Sequence, residues 1–178
     1  MSKSGHTKIL VLNPYNIANV AKELRLLAQQ AISSAKIPED ISEEDINKLY
    51  LATIYLELHL LERYLILELP EEEAQKQCFE ITQFLLSSVY RDIFKVDIVP
   101  PNVVEYFATY FSSNYKFIHE DLILAPMPYK KDDNQQLPQL FDNFCKCIEE
   151  AGVVPFNVAK AIAQSIWDNW PQITSEEK

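Results

Sequence analysis

The chain contains one long stretch, residues 42–69, in which apolar positions almost surround the helix axis when they are plotted at 100° per residue. Ser42 is followed by three acidic residues. That order is typical of a helix N-terminus, where a hydroxyl caps the first amides and carboxylates meet the positive end of the helix dipole. A helix that is apolar on nearly all sides is buried on several sides. The pattern therefore predicts a continuous helix over 42–69 at the centre of a bundle.

Amphipathic stretches on both sides of this segment predict the remaining helices. The first, over residues 14–35, places apolar residues on one face and polar residues on the other, after an Asn13-Pro14 start signal. Four further helices are predicted over residues 70–95, 103–114, 138–151 and from 155 or 157 to 171. The sequence therefore predicts an all-α fold, a single helical domain over 1–178 with five to six helices around helix 42–69.

Two stretches interrupt the helical pattern. Residues 116–129 are apolar without a clean period and contain two prolines, which predicts an extended segment packed across the bundle in an irregular region near 116–134. Residues 129–136 are the most polar stretch, and we interpret them as a linker before the last two helices. The short apolar run from Lys8 to Leu12 is left open as extended structure.

The central helix carries one narrow polar sector, formed by Lys48, Tyr55, His59, Glu62 and Arg63. His59 and Glu62 are three residues apart and could face one ion, but a transition-metal site needs a further ligand such as His119. Neither histidine has the glutamate three residues earlier that a ferritin-like di-metal site requires. The favoured interpretation is a solvated polar face, and no metal or other cofactor is predicted.

Glu57 points away from that sector, towards apolar residues of the same helix. A carboxylate in apolar surroundings must be hydrogen-bonded, ion-paired or have a raised pKa, and a raised pKa suits general acid–base work. The alternatives are a bond to a tyrosine hydroxyl, an ion pair with Lys22 or Arg25, or simple exposure of this side of the helix. No nucleophile or oxyanion donor can be named beside Glu57, so an enzyme stays open without being the favoured class.

Aromatic residues supply the main candidates for a binding surface. Six of them crowd residues 106–117, too many to face one core at helical spacing, and Trp167 falls on the back of the last helix with Trp170 to its side. Large exposed aromatics concentrate in binding hot spots. The alternative is that the tail or segment 116–129 covers both tryptophans. The candidate binding residues are Trp167, Trp170, Tyr106, Tyr110 and Glu57.

Composition excludes several classes of function. The chain has 16 Lys and Arg against 26 Asp and Glu, a net charge of −10, so nucleic-acid binding is not expected. Its two glycines rule out a glycine-rich phosphate or dinucleotide loop. Acidic residues cluster at 39–45 and 71–73. Ordinary solubility explains most acidic surfaces, and the alternative is an acidic face that meets a basic partner or imitates nucleic acid.

The N-terminal apolar run is too short for a secretory signal, and no stretch is long enough for a membrane span. The chain has three cysteines, and two of them, Cys145 and Cys147, would point to nearly opposite faces of one helix, so neither a bridge nor a shared metal is expected between them. Reduced thiols and a cytoplasmic location without membrane partners follow.

These patterns favour a cytoplasmic, acidic, non-enzymatic protein-binding module such as an adaptor, an inhibitor or an immunity-type factor. Its partner would be a protein, and a basic one fits the charge. The alternative is a helical bundle that binds an apolar small molecule or lipid in an aromatic-lined cavity, with Glu57 as the polar anchor. Homodimerisation through an exposed helix is left open.

Overall fold

A computed structural model describes residues 10–114 and 136–174, without the side chains of residues 108, 110–114 and 136–138. These residues form an all-α bundle of packed helices, as predicted. The helices are α1 (Ile17–Ser34), α2 (Glu43–Glu68), α3 (Glu71–Phe94), α4 (Val103–Asn114), α5 (Gln136–Glu150) and α6 (Phe156–Asp168). Two short strands, β1 (Val11–Leu12) and β2 (Gln172–Ile173), complete the described fold. The predicted extended segment 116–129 and all of the predicted linker except Gln136 lie outside the described residues.

Helix α2 is the centre of the bundle. Every residue from Leu49 to Leu61 is buried, because α1, α3, α5 and α6 all pack against α2. The apolar residues of α2 almost surround the helix axis, and each leucine left exposed would lose about 2 kcal/mol of transfer free energy. The helix is therefore most stable when it is buried on nearly all sides. The predicted central helix over 42–69 is confirmed with its ends shifted by one residue.

The ends of the helices follow their local sequence signals. Ser42 Oγ accepts the amide N–H of Asp45 at 3.1 Å and caps α2. Gly152, at φ +70°, ends α5 with its amide bonded to the carbonyl of Glu149. The predicted start of α1 at Asn13-Pro14 is wrong, because Asn13 Oδ1 instead accepts the amide of Tyr15 in a turn, and Asn16 is the capping residue.

The two ends of the described chain pair with each other. Strands β1 and β2 are parallel, and the amides of Gln172 and Thr174 donate to the carbonyls of Leu10 and Leu12 at 2.8 and 3.0 Å. Leu12 and Ile173 are buried beneath this pairing. The short extended segment near Leu12 therefore closes the bundle on the residues that follow α6.

Candidate functional site

The polar sector of α2 is buried, so the predicted solvated face is wrong. His59, Arg63 and Tyr55 are all buried, and Glu62 is half-buried. Helices α1, α3, α5 and α6 all pack against α2, and Arg63 Nη1 turns back to donate to the carbonyl of His59 at 3.0 Å. Burial, together with the charge of Arg63, lowers the pKa of His59 to about 4. His59 is therefore a neutral imidazole at neutral pH.

The described residues do not bring together the side chains that a metal site would need. Within residues 10–114 and 136–174, no three His, Cys, Asp or Glu side chains lie close enough together to hold an ion. His119, the third ligand that His59 and Glu62 would need, lies outside the described residues.

Glu57 is fully buried, with 0% of its surface exposed. Neither of its carboxyl oxygens finds a hydrogen-bond partner among the described residues. Burial raises the pKa of Glu57 well above its usual range, which favours the neutral carboxylic acid. The interpretation that this side of α2 is exposed is wrong.

The alternative of an ion pair between Arg25 and Glu57 is also wrong. Arg25 instead contacts Asp92 of α3 through three hydrogen bonds of 2.6 to 2.9 Å. The Tyr50 hydroxyl donates to the same carboxylate at 3.0 Å. This network connects α1, α2 and α3. Arg25 therefore does not neutralise Glu57, which lies in the apolar interior.

The two tryptophans have different surroundings. Trp167 is 40% exposed and packs edge-on against Phe141, with ring centroids 5.8 Å apart. Trp170 is half-buried and stacks on Tyr64 of α2 at 5.9 Å, with its Nε1 buried and unpartnered among the described residues. Trp167 therefore offers surface to a partner, whereas Trp170 joins the end of the chain to the core.

An exposed apolar surface lies at the turn between α3 and α4. We call it the turn patch and define it as Phe94, Val96, Ile98 and Tyr106. Ile98 is 86% exposed, the largest exposure of any large apolar side chain in the described residues. The rings of Phe94 and Tyr106 both pack on Tyr90, at 4.6 and 5.4 Å, so a rigid aromatic base supports the patch. Tyr110, the other aromatic candidate on α4, has a side chain outside the described set.

Sequence reasoning identified Tyr106 but missed the rest of the turn patch. The signal was present in residues 94–99, Phe-Lys-Val-Asp-Ile-Val, where apolar and polar residues alternate directly after a helix end. An alternating stretch too short to continue as a strand leaves its apolar side chains without a covering layer.

The acidic segment 39–45 borders the turn patch. Lys95 Nζ, within the α3–α4 turn, contacts Glu43 Oε1 at 3.3 Å and so joins the start of α2 to the end of α3. The other acidic segment, 71–73, lies at the opposite end of the 26-residue helix α2, about 39 Å away at 1.5 Å per residue. Only the first acidic segment can share a binding surface with the turn patch.

A cleft of about 260 Å³ opens between α1, α2 and α3. Its lining residues are Gln29, Ile32, Ser33, Ile46, Asn47, Tyr50, Asp92 and Ile93. Two of these lining residues, Asp92 and Tyr50, belong to the hydrogen-bond network with Arg25. Glu57 does not line this cleft.

The three cysteines all lie in the described part of the chain and form no disulfide there, as predicted. Cys145 and Cys147 are both buried, because α5 is covered on more than one side. Burial raises the pKa of Cys145 and Cys78 to about 11, which keeps both thiols protonated and unreactive at neutral pH.

No helix in the described part of the chain has the length and apolar character that crossing a membrane requires. Comparison of the whole sequence and structure with protein-family models, with curated proteins and with solved structures finds no match to this chain.

Proposed function

We propose that this protein is a non-enzymatic protein-binding module, an adaptor or inhibitor, that binds its partner through the turn patch and the adjoining acidic segment 39–45. The observation that carries the proposal is the 86% exposure of Ile98 in a turn where Phe94 and Val96 are exposed as well. Exposed large apolar residues scattered singly are ordinary, whereas a contiguous group rimmed by charge is characteristic of interaction sites.

The charge beside the turn patch favours a basic partner. Glu39, Asp40, Glu43 and Glu44 are exposed, and the chain as a whole carries −10. Complementary charge steers association and suppresses acidic competitors, while the apolar patch supplies the contact area. The partner surface that fits is amphipathic, with apolar residues in the middle and Lys or Arg at its edge.

The compartment we propose is the cytoplasm. Three cysteines without a disulfide, two of them buried in the core, suit a reducing environment. A soluble adaptor or inhibitor that meets its partner there needs neither a cofactor nor a catalytic centre.

The test uses a synthetic amphipathic peptide of Leu and Lys at helical spacing as the probe. Ile98→Asp is expected to weaken its binding at least tenfold in fluorescence anisotropy. The reason is that an aliphatic side chain that the bound peptide would cover is replaced by a charge. The matched control is Phe79→Asp, which alters another exposed apolar side chain, 59% exposed, on α3 about 22 Å from Phe94 along the helix axis. Its affinity is expected to stay within twofold of the wild type.

Two further arms decide the outcome. A peptide with Glu in place of Lys is expected not to bind, and binding of the Lys peptide is expected to fall as salt rises. Loss of affinity with Trp167→Ala and none with Ile98→Asp would move the interface to α6. Absence of any binding by the Leu–Lys peptide would refute the proposed charge and apolar recognition together.

A second candidate function is suggested by the unpartnered polar atoms beside α2. Tyr50, Glu57 and Tyr64 recur every seven residues along one side of α2. Trp170 stacks on Tyr64, and its Nε1 has no hydrogen-bond partner among the residues that the structure describes. An apolar ligand with one polar group could satisfy Glu57. Native mass spectrometry would then show an added mass on the wild type that Glu57→Gln loses, and a bare wild-type mass would eliminate this candidate.

A further inference from the structure

The cleft between α1, α2 and α3 is lined in part by Asp92 and Tyr50, which belong to one hydrogen-bond network. Asp92 receives three hydrogen bonds from Arg25 and one from Tyr50, and burial together with the Asp92 charge raises the pKa of Tyr50, which keeps its hydroxyl a donor. These contacts fix three helices relative to one another. The cleft is therefore preformed, which reduces the entropy that an occupant must lose on binding.

The walls of the cleft are apolar and its edge is polar. Half-buried Ile32, Ile46 and Ile93 line it, together with the amides of Gln29 and Asn47. Its volume of about 260 Å³ equals that of about nine waters in the liquid. That is below the range of drug-sized sites and suits one long side chain.

Glu43 lies on α2 just before the residues of that helix that line the cleft. It precedes Asn47 by one turn and Tyr50 by two turns, so the three residues share one side of α2. The side chains of Glu43 and its partner Lys95 are both about three-quarters exposed, at 76% and 77%. An ion pair this exposed contributes little to stability, so an incoming cation can replace Lys95 at Glu43.

We propose that the cleft receives a lysine or arginine side chain of the basic partner, with its aliphatic stem against the three isoleucines and its cation at Glu43. This inference rests on the proposed function and names the anchor that the partner would supply. Asp92 and Phe94 are two residues apart on α3 and so face nearly opposite sides of its end. A partner segment that crosses the end of α3 reaches both the cleft and the turn patch.

The experiment combines a blocked cleft with a changed peptide. Ser33→Phe fills the cleft from an exposed position of α1, and Ser33→Ala is the matched control that leaves it open. Circular dichroism and urea midpoints confirm that both variants fold. Ser33→Phe is expected to weaken binding of the Leu–Lys peptide about tenfold, with Ser33→Ala unchanged.

A second cycle tests the cation. Each lysine of the peptide is replaced in turn by norleucine. At one peptide position this replacement is expected to weaken binding to the wild-type protein about tenfold and to leave binding to the Glu43→Gln variant almost unchanged. Equal losses for wild type and Glu43→Gln at every position would overturn the inference, as would unchanged binding by Ser33→Phe. If Ile98→Asp still weakens binding in either case, the cleft assignment fails while the proposed function stands, and only failure of all peptide binding removes both.

Discussion

Replacement of Glu57 by leucine is expected to raise the free energy of unfolding at pH 8 by about 3 kcal/mol. The carboxyl is fully buried and neither oxygen has a hydrogen-bond partner among the described residues. Leucine has a similar volume and removes the cost of holding a polar group in an apolar interior. Urea unfolding monitored by circular dichroism measures the change.

Two variants control this result. Glu68→Leu alters an exposed glutamate at the end of the same helix and is expected to change the unfolding free energy by less than about 0.5 kcal/mol. Glu57→Gln keeps a polar group but removes ionisation, so its effect should lie between that of the wild type and that of Glu57→Leu. Destabilisation by Glu57→Leu would mean that the carboxyl makes contacts that stabilise the native state.

The pH dependence of stability is expected to separate Glu57 from His59. The pKa of Glu57 is raised above its usual 4.5, so the unfolded chain releases this proton first and stability falls as pH rises from about 4.5 towards the raised value. The pKa of His59 is lowered from 6.5 to about 4, so stability rises with pH between those two values. Each slope is about 1.4 kcal/mol per pH unit at its steepest.

These two slopes have opposite signs: the Glu57 slope begins at about pH 4.5, and the His59 slope ends near pH 6.5. The difference in unfolding free energy between wild type and Glu57→Gln is therefore expected to grow with pH from 4.5 upward. The difference between wild type and His59→Asn is expected to change only below pH 6.5. Urea titrations across pH 4 to 9 give both curves, and a constant difference for Glu57→Gln would show that Glu57 titrates as an exposed carboxyl does.

The helices could be predicted because their signals are local. Ser42 caps α2, Gly152 ends α5, and the apolar circumference of 49–61 requires burial on every side. The same circumference made the polar sector misleading. A helical wheel shows that His59 and Arg63 share a side but does not show which helix covers that side, and in the fold no side is left open.

The site was less predictable because its parts are distant in sequence. The cleft unites residues near 30, 47 and 92, and the contact between Glu43 and Lys95 brings the acidic segment to the turn that carries the turn patch. Arg25 was one of the candidate partners of Glu57, but it pairs with Asp92 instead, to which it donates three hydrogen bonds. Tertiary packing decides which carboxylate Arg25 pairs with, and the spacing of these residues in the sequence does not show it.

The most direct test of the proposed interface is a titration of ¹⁵N-labelled protein with the Leu–Lys peptide, followed by amide chemical shifts. The account predicts that the largest shifts fall in residues 39–50 and 92–106, with those of 156–173 unchanged. Shifts concentrated around Trp167, or spread evenly over the acidic surface including 71–73, would contradict it.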